Sequence, residues 1–152
     1  MIELVKSLYW DMASHWGRDQ YMGALLRNIP GMAGIVLRRS WYTKKFGRAG
    51  AQLTIYPGAT ILNARKIECG NRVHIGFFNY VQAGGGITFG NDVILGPYTK
   101  IWSQNHNYKD PHMPVLDQGY TFMPVVIGDD VWVGANAFIM PGVVLGDRCV
   151  VA

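Results

Sequence analysis

Small residues return every six positions along the second half of this chain, and that period limits its possible folds more than any other feature. Gly128, Gly134, Met140 and Gly146 hold an unbroken phase, and Gly84, Gly90 and Gly96 hold one before a long interruption, with Trp102 in the next slot. Upstream, Gly58, Ala64, Gly70 and Gly76 keep the period, so a two-residue slip separates Gly76 from Gly84. The residue before each small one is mostly apolar: Ile75, Phe89, Leu95, Ile101, Ile127, Val133, Ile139 and Leu145. Four positions later comes a second apolar set: Ile61, Ile67, Val73, Ile87, Val93, Val131 and Val143. Alternation along a short strand turns both sets to one side. A small residue then lets the backbone turn a corner that a larger side chain would crowd. Three such units close a triangular coil, and stacked coils are separated by about 4.8 Å. Strands of an ordinary β-sandwich would be less evenly spaced and joined by more turn dipeptides. The period therefore predicts an all-β solenoid over residues 51–152.

The first fifty residues read differently. Leu4, Val5, Leu8, Tyr9, Met12 and Trp16 recur at helical spacing, with Gly17 as the expected stop. Asp19 is the expected N-cap of a second helix ended by Pro30. A third helix is expected from about Met32 to Phe46, closed by Gly47. This short α-helical segment, residues 1–50, is expected to cover the first coil, because the end of an open β stack exposes unpaired backbone groups. At the other end the chain reaches Val151-Ala152 in mid-coil, so the last coil is expected to be incomplete.

Charge is uneven. Residues 1–50 carry eight Lys/Arg against three acidic residues, and residues 51–152 carry six against seven. Arg38, Arg39, Lys44, Lys45 and Arg48 make the main basic cluster. It reads as a solvated helix face, or as a surface attracted to anionic lipid headgroups or a phosphorylated acceptor. No nucleic-acid motif accompanies it, so no nucleic acid is expected as partner. The chain opens on Met1-Ile2-Glu3 without a basic leader, and its longest apolar run, Ile29–Leu37, contains Pro30. A cytoplasmic location is expected, with peripheral contact at the inner membrane face through the basic 38–48 segment. Cys69 and Cys149 are expected as core fillers on one face, three coils and roughly 14 Å apart, beyond disulfide reach.

The interruption, about residues 103–126, must protrude from the prism, and a long loop in a regular solenoid is usually functional. It holds His106, Tyr108, Asp110, His112, Asp117, Tyr120 and three prolines. Histidine is the natural base near neutral pH, so a histidine at the root of such a loop is a candidate for proton transfer. His106 follows the last slot in phase and should leave the prism surface where the loop departs. Asp110 and Asp117 are both candidates to orient its ring.

The stretch IGDDVWVGANAFIMPGVVLGD, residues 127–147, resembles the signature of hexapeptide-repeat acyltransferases of the maltose/galactoside O-acetyltransferase type. The run LLRNIPGMAGIVLRRSWY resembles, more loosely, members that acetylate surface polysaccharides. The resemblance implies a left-handed parallel β-helix, a hand opposite to the usual crossover rule. It implies acetyl-coenzyme A as co-substrate, no metal, and a homotrimer with active sites between neighbouring prisms. In SQNHNYKDP it places His106 at the position of the catalytic base. Asn79, Tyr108 and His112 are expected on the acceptor, and Trp132, Gly134 and Ala135 along the pantetheine arm. A sugar hydroxyl is the expected acceptor, ahead of an amino sugar or an antibiotic hydroxyl. Two other readings stand beside it: a non-catalytic or truncated scaffold, and a γ-type zinc carbonic anhydrase, which would need three histidines around the metal.

Overall fold

A computed structural model describes residues 1–152. Strand alternation turns one residue of most short strands inward, and two in the three-residue strands of the first wall, and the inward residues stack into columns along a three-walled prism. The first wall stacks Arg48–Ala49, Ile67–Cys69, Ile87–Phe89, Val125–Ile127 and Val144–Leu145, all parallel. The second stacks Thr54–Ile55, His74–Ile75, Ile94–Leu95, Trp132–Val133 and Val150–Val151. The third stacks Thr60–Leu62, Tyr80–Gln82, Lys100–Trp102 and Phe138–Ile139. Ile55, Ile75, Leu95 and Val133 form one buried column, and Ile61, Val81, Ile101 and Ile139 another. The parallel β-solenoid expected from the period is the fold observed.

The phase differs from the sequence reading in its first part. Partners on the first wall lie 20 residues apart in the first two steps, Arg48 with Glu68 and Glu68 with Thr88. They lie 18 apart in the last step, Val126 with Val144. The extra residues fall at one corner, between the third wall and the first. There Ala64–Lys66 forms a 3-10 turn in one coil, and Gly84-Gly85-Gly86 fills the next. Gly58, Ala64 and Gly84 are therefore corner residues and not the repeat slots, which belong to Tyr56, Leu62 and Gln82. Six-residue spacing fitted both descriptions, since each slip preserves the period on either side of it.

The corner between the first and second walls is strictly repeated. Arg72, Asp92, Asp130 and Arg148 take left-handed backbone there, at φ between 56° and 60°. Each follows an Asn or Asp that ties the coils together. Asn71 Oδ1 accepts from Ala51 N, Asn91 from Asn71 N, Asp129 from Asn91 N and Asp147 from Asp129 N. This ladder explains the recurring Gly-Asx pair, and it offsets the cost of left-handed backbone.

The helices are α1 (Ile2–Ala13), α2 (His15–Arg27) and α3 (Gly31–Thr43). The break comes at Ser14, whose Oγ accepts from Gly17 N at 2.8 Å as N-cap of α2. Gly17 lies inside α2, where its missing Cβ lets the helix approach the Asp11 backbone of α1. Asp19 is also inside α2 and pairs with Lys45 at 2.7 Å. α1 buries none of its residues and packs on α2. No helix is long and apolar enough to cross a membrane.

α3 closes the open end of the prism with charge. Arg38 is fully buried; its Nε donates to Ile55 O at 2.8 Å and its Nη1 to Leu26 O and Ile29 O at 3.0 and 2.8 Å. Arg39 Nε donates to Leu53 O. Ile55 O and Leu53 O are carbonyls that the edge coil cannot give to a neighbouring strand. Within the basic segment 38–48 only part of the charge is thus a free face: Lys44 and Arg48 remain exposed, and Arg38 is not. Arg38 and Arg39 cap the coil, Lys45 is paired with Asp19, and Arg48 lies against Glu68. The cysteines are free, but they are not on one face. Cys69 belongs to the first wall, while Cys149 sits beneath Val131 at the start of the second. A four-residue step from Leu145 crosses the corner.

Candidate active site

Ser103 is the last inward residue before the prism opens. From there Gln104–His106 leaves the corner and pairs antiparallel with Tyr120–Phe122, in the register Gln104–Phe122, Asn105–Thr121 and His106–Tyr120. The stem rests on the glycines one coil below. A Cβ on Gly85 would collide with Ser103 O and the Met123 backbone, and Ser103 Oγ accepts from Gly85 N at 2.9 Å. The two-residue expansion of the previous coil is thus the seat of the hairpin.

One side chain organises the loop beyond. Gln118 Nε2 donates to Asp110 O and Met113 O at 2.9 and 2.7 Å, and its Oε1 accepts from Asp110 N at 3.1 Å. Asn107 Nδ2 donates to Gln118 O, and Thr121 Oγ1 donates to Asn107 Oδ1. The loop is therefore a bonded unit standing on the hairpin.

His106 sits at the end of its strand, half-buried. Its N–H donates to Asn105 Oδ1 at 3.0 Å, and its ring lies 4.3 Å from that of Tyr120. Its Nδ1 is buried with no hydrogen-bond partner, while Nε2 is not enclosed. Asn105, His106, Tyr108, Lys109, Gln118 and Met123 are among the residues around an open groove of about 570 Å³. Neither aspartate orients the ring: Asp110 Oδ1 accepts from His112 N, and Asp117 ends a 3-10 turn at Val115–Asp117. An imidazole with one nitrogen sealed and the other open can take a proton at the open one.

The other expected residues are scattered. Tyr108 lines the groove. His112 is exposed on the loop but does not line it. Asn79 is buried inside the prism, where its Nδ2 donates to Gly96 O at 2.7 Å, so it cannot meet an acceptor in the groove. Trp132 is 54% exposed on the second wall, in register with Ile94 and Val150, with Gly134 and Ala135 at the corner after it. One chain does not bring this wall to the groove. Trp102 lies between Tyr80 and Phe138, at ring distances of 6.0 and 5.6 Å, as the middle of an aromatic ridge on the third wall. Tyr120, Gln118 and Asn107 were not singled out from sequence; only their place in a loop of unusual length pointed to them. No three His, Cys, Asp or Glu side chains converge as a metal-binding set.

Known proteins resemble the chain in the same terms. Residues 124–152 match the family described as the hexapeptide repeat of succinyl-transferase. The chain is 26% identical over 116 residues to the galactoside O-acetyltransferase of Escherichia coli, covering 75% of this chain and 55% of that one. It spans about half the length of this curated relative. A hexapeptide-repeat acetyltransferase of Vibrio cholerae, solved with acetyl-coenzyme A, superposes with a TM-score of 0.78 at 26% identity, over 90% of this chain and 72% of that one. A maltose O-acetyltransferase of Clostridium difficile shares the fold with a TM-score of 0.74 at 23% identity, over 90% and 75% of the two chains. The chain carries the hexapeptide repeat over residues 124–152 and shares the left-handed β-helix of the acetyltransferases it resembles.

Proposed function

We propose that this protein is an acetyl-coenzyme A-dependent O-acetyltransferase acting on a saccharide hydroxyl, with His106 as general base. The observation that carries the reading is the His106 ring: it stands where the repeat breaks, with Nδ1 sealed and Nε2 open beside a groove. Acetyl-coenzyme A supplies a thioester whose carbonyl the hydroxyl attacks and whose sulfur leaves as the free thiol. His106 Nε2 takes the hydroxyl proton as the oxygen attacks and returns it to the departing sulfur. Tyr120 holds the ring in place by packing its tilted ring against it, and the loop built on Gln118 sets the groove's outer wall.

The donor fits the second wall. Trp132, Ile94 and Val150 form an exposed apolar strip parallel to the prism axis. Such a strip suits a pantetheine arm, with Gly134 and Ala135 leaving the corner uncrowded. Because that wall lies apart from His106 in one chain, the active site would form between the loop of one prism and the wall of the next, as in a homotrimer. The saccharide acceptor is favoured by the likeness to the galactoside O-acetyltransferase.

Release of free thiol from acetyl-coenzyme A, measured with and without saccharide, tests the proposal. His106→Ala should fold normally and lose on the order of a hundred to ten thousand-fold in rate. Equal rates for the two proteins would overturn the assignment of the base.

A further inference from the structure

We propose that the cavity between the helices and the first coil is a second saccharide subsite. It would take a phosphorylated sugar, with the phosphate on Arg65 and Arg18 and the ring against Trp16. The cavity, about 250 Å³, is lined by Trp16, Gln20, Trp41, Tyr42, Asn63 and Arg65 among others. Drug-sized ligands occupy sites of about 300–1,000 Å³, so this one suits a single sugar ring. Lys45 covers one face of the Trp41 ring at 4.5 Å. Trp16 is 61% exposed and offers the open aromatic platform.

The anion follows from an unusual arrangement at the cavity's mouth. Arg18 Nη2 lies 2.9 Å from His15 Nδ1, and Arg65 Nη2 lies 3.3 Å from the same atom. Both contacts are hydrogen bonds only when the ring proton is on Nε2. Two guanidiniums thus converge on one imidazole nitrogen. The four ion pairs of the fold join Lys45 to Asp19, Arg48 to Glu68, Arg72 to Asp92 and Arg148 to Asp130, so neither guanidinium has a carboxylate. Arg18 Nη1 is committed to the last carbonyls of α1, Met12 O and Ala13 O, whereas Arg65 has no bond but the one to His15. Like charges held this close are relieved by an anion, and planar guanidiniums match phosphate oxygens two at a time. Lys66 also lines the cavity but turns its ammonium to Gly84 O, and Asp19 in the same lining is paired with Lys45.

A run of side chains along the hairpin connects the cavity's rim to His106. Lys66 Nζ donates to Gly84 O at 2.6 Å and lies 5.7 Å from the Phe122 ring. Phe122 lies 6.2 Å from Tyr120, which packs on His106 at 4.3 Å. One face of the hairpin therefore leads from the base to the cavity, a path suited to an acceptor of more than one sugar. That the bound sugar belongs to the acceptor rests on the proposed acetyl transfer; that the cavity binds it does not.

Calorimetric titration of the full chain with glucose 1-phosphate, galactose 1-phosphate, glucose and inorganic phosphate tests the assignment. At least one sugar phosphate should bind at least tenfold more tightly than glucose or inorganic phosphate. Arg65→Gln and Trp16→Ala, both at exposed positions, should each lose at least tenfold with unchanged melting temperature. His106→Ala should bind normally, which separates failure of this subsite from failure of the catalytic reading. No binding of either sugar phosphate overturns the proposal. So does inorganic phosphate binding as tightly, which marks a bare anion site, or full affinity in Arg65→Gln.

Discussion

Replacing Arg38 by methionine tests whether charge closes the open end of the prism. The guanidinium is fully buried and serves four carbonyls from two units: Ile55 O on the edge coil, and Leu26 O, Arg27 O and Ile29 O at the C-terminal end of α2 and just after it. Leu26 O keeps the N–H of Asn28 as a partner. Ile55 O and Ile29 O are left bare. An unsatisfied buried acceptor costs about 1–3 kcal/mol, so the two together cost about 2–6 kcal/mol. Against this, burial holds the Arg38 pKa below its ordinary value, which measures a desolvation cost that methionine recovers in part while filling similar volume. The net expectation is a loss of about 2–4 kcal/mol. Arg38→Lys should be no better than methionine, because one ammonium keeps the buried charge but cannot span Ile55 O and Ile29 O. Urea unfolding followed by far-ultraviolet circular dichroism reads both, as a shift in midpoint at constant slope. A methionine variant within about 0.5 kcal/mol of the parent, the ordinary range of surface substitutions, would refute the capping role.

Other consequences can be tested separately. Gly85→Ala should push Ser103 and Met123 apart at the hairpin stem, lowering the melting temperature and cutting acetyl transfer at least tenfold at temperatures where the variant stays folded; unchanged activity would mean the stem does not position His106. Asn79→Ala should cost about 1 kcal/mol for the lost bond to Gly96 O and leave the KM for acceptor alone. A raised KM with unchanged stability would restore Asn79 to the binding site. Burial holds the Cys69 thiol above its ordinary pKa. Its contribution to stability is therefore complete below the ordinary thiol range, about pH 8.5, and is lost as pH rises through the folded value. Cys69→Ala should flatten the alkaline fall in unfolding free energy, with the part owed to Tyr42, shifted the same way, remaining. An identical fall in the two proteins contradicts this.

The fold was legible because a repeat writes the same physical requirement many times. Four inward columns and one ladder of Asx residues each recur coil after coil, so a single aberrant slot such as Trp102 does not hide them. What the sequence concealed were features stated once. Arg38 reads as a solvated charge, because nothing local says that its partners are carbonyls 17 and 12 residues away. Ser14 competes with Gly17 as the break between helices, and the glycine is used instead for close approach to Asp11. Asn79 falls on the acceptor only through the family resemblance, yet it sits in the core and donates to a backbone carbonyl. The loop histidine could be found from where the repeat stops. Its packing partner Tyr120 could not, since 13 residues with no period lie between them.

The expanded corner shows why an insertion of this size is tolerated here. Coils one and two each carry two extra residues between the third wall and the first, and coil three carries the whole hairpin and loop at that same corner. Loop closure costs only about 0.6 kcal/mol per doubling of length, so the loop's length itself is a small burden. The larger risk is loss of register in the coil that follows. That register is kept: Val125 pairs with Ile87 and Val126 with Thr88 directly after the loop, and Val125 N donates to Gly86 O at the corner itself. The glycines below give the stem a seat with no side chain to displace, while the Asx ladder at the opposite corner continues from Asn91 to Asp129 across the interruption. The prism thus isolates variation to one edge. Three consecutive coils of that edge hold Lys66, the glycine seat and His106, so one widened corner gathers them without disturbing the stack.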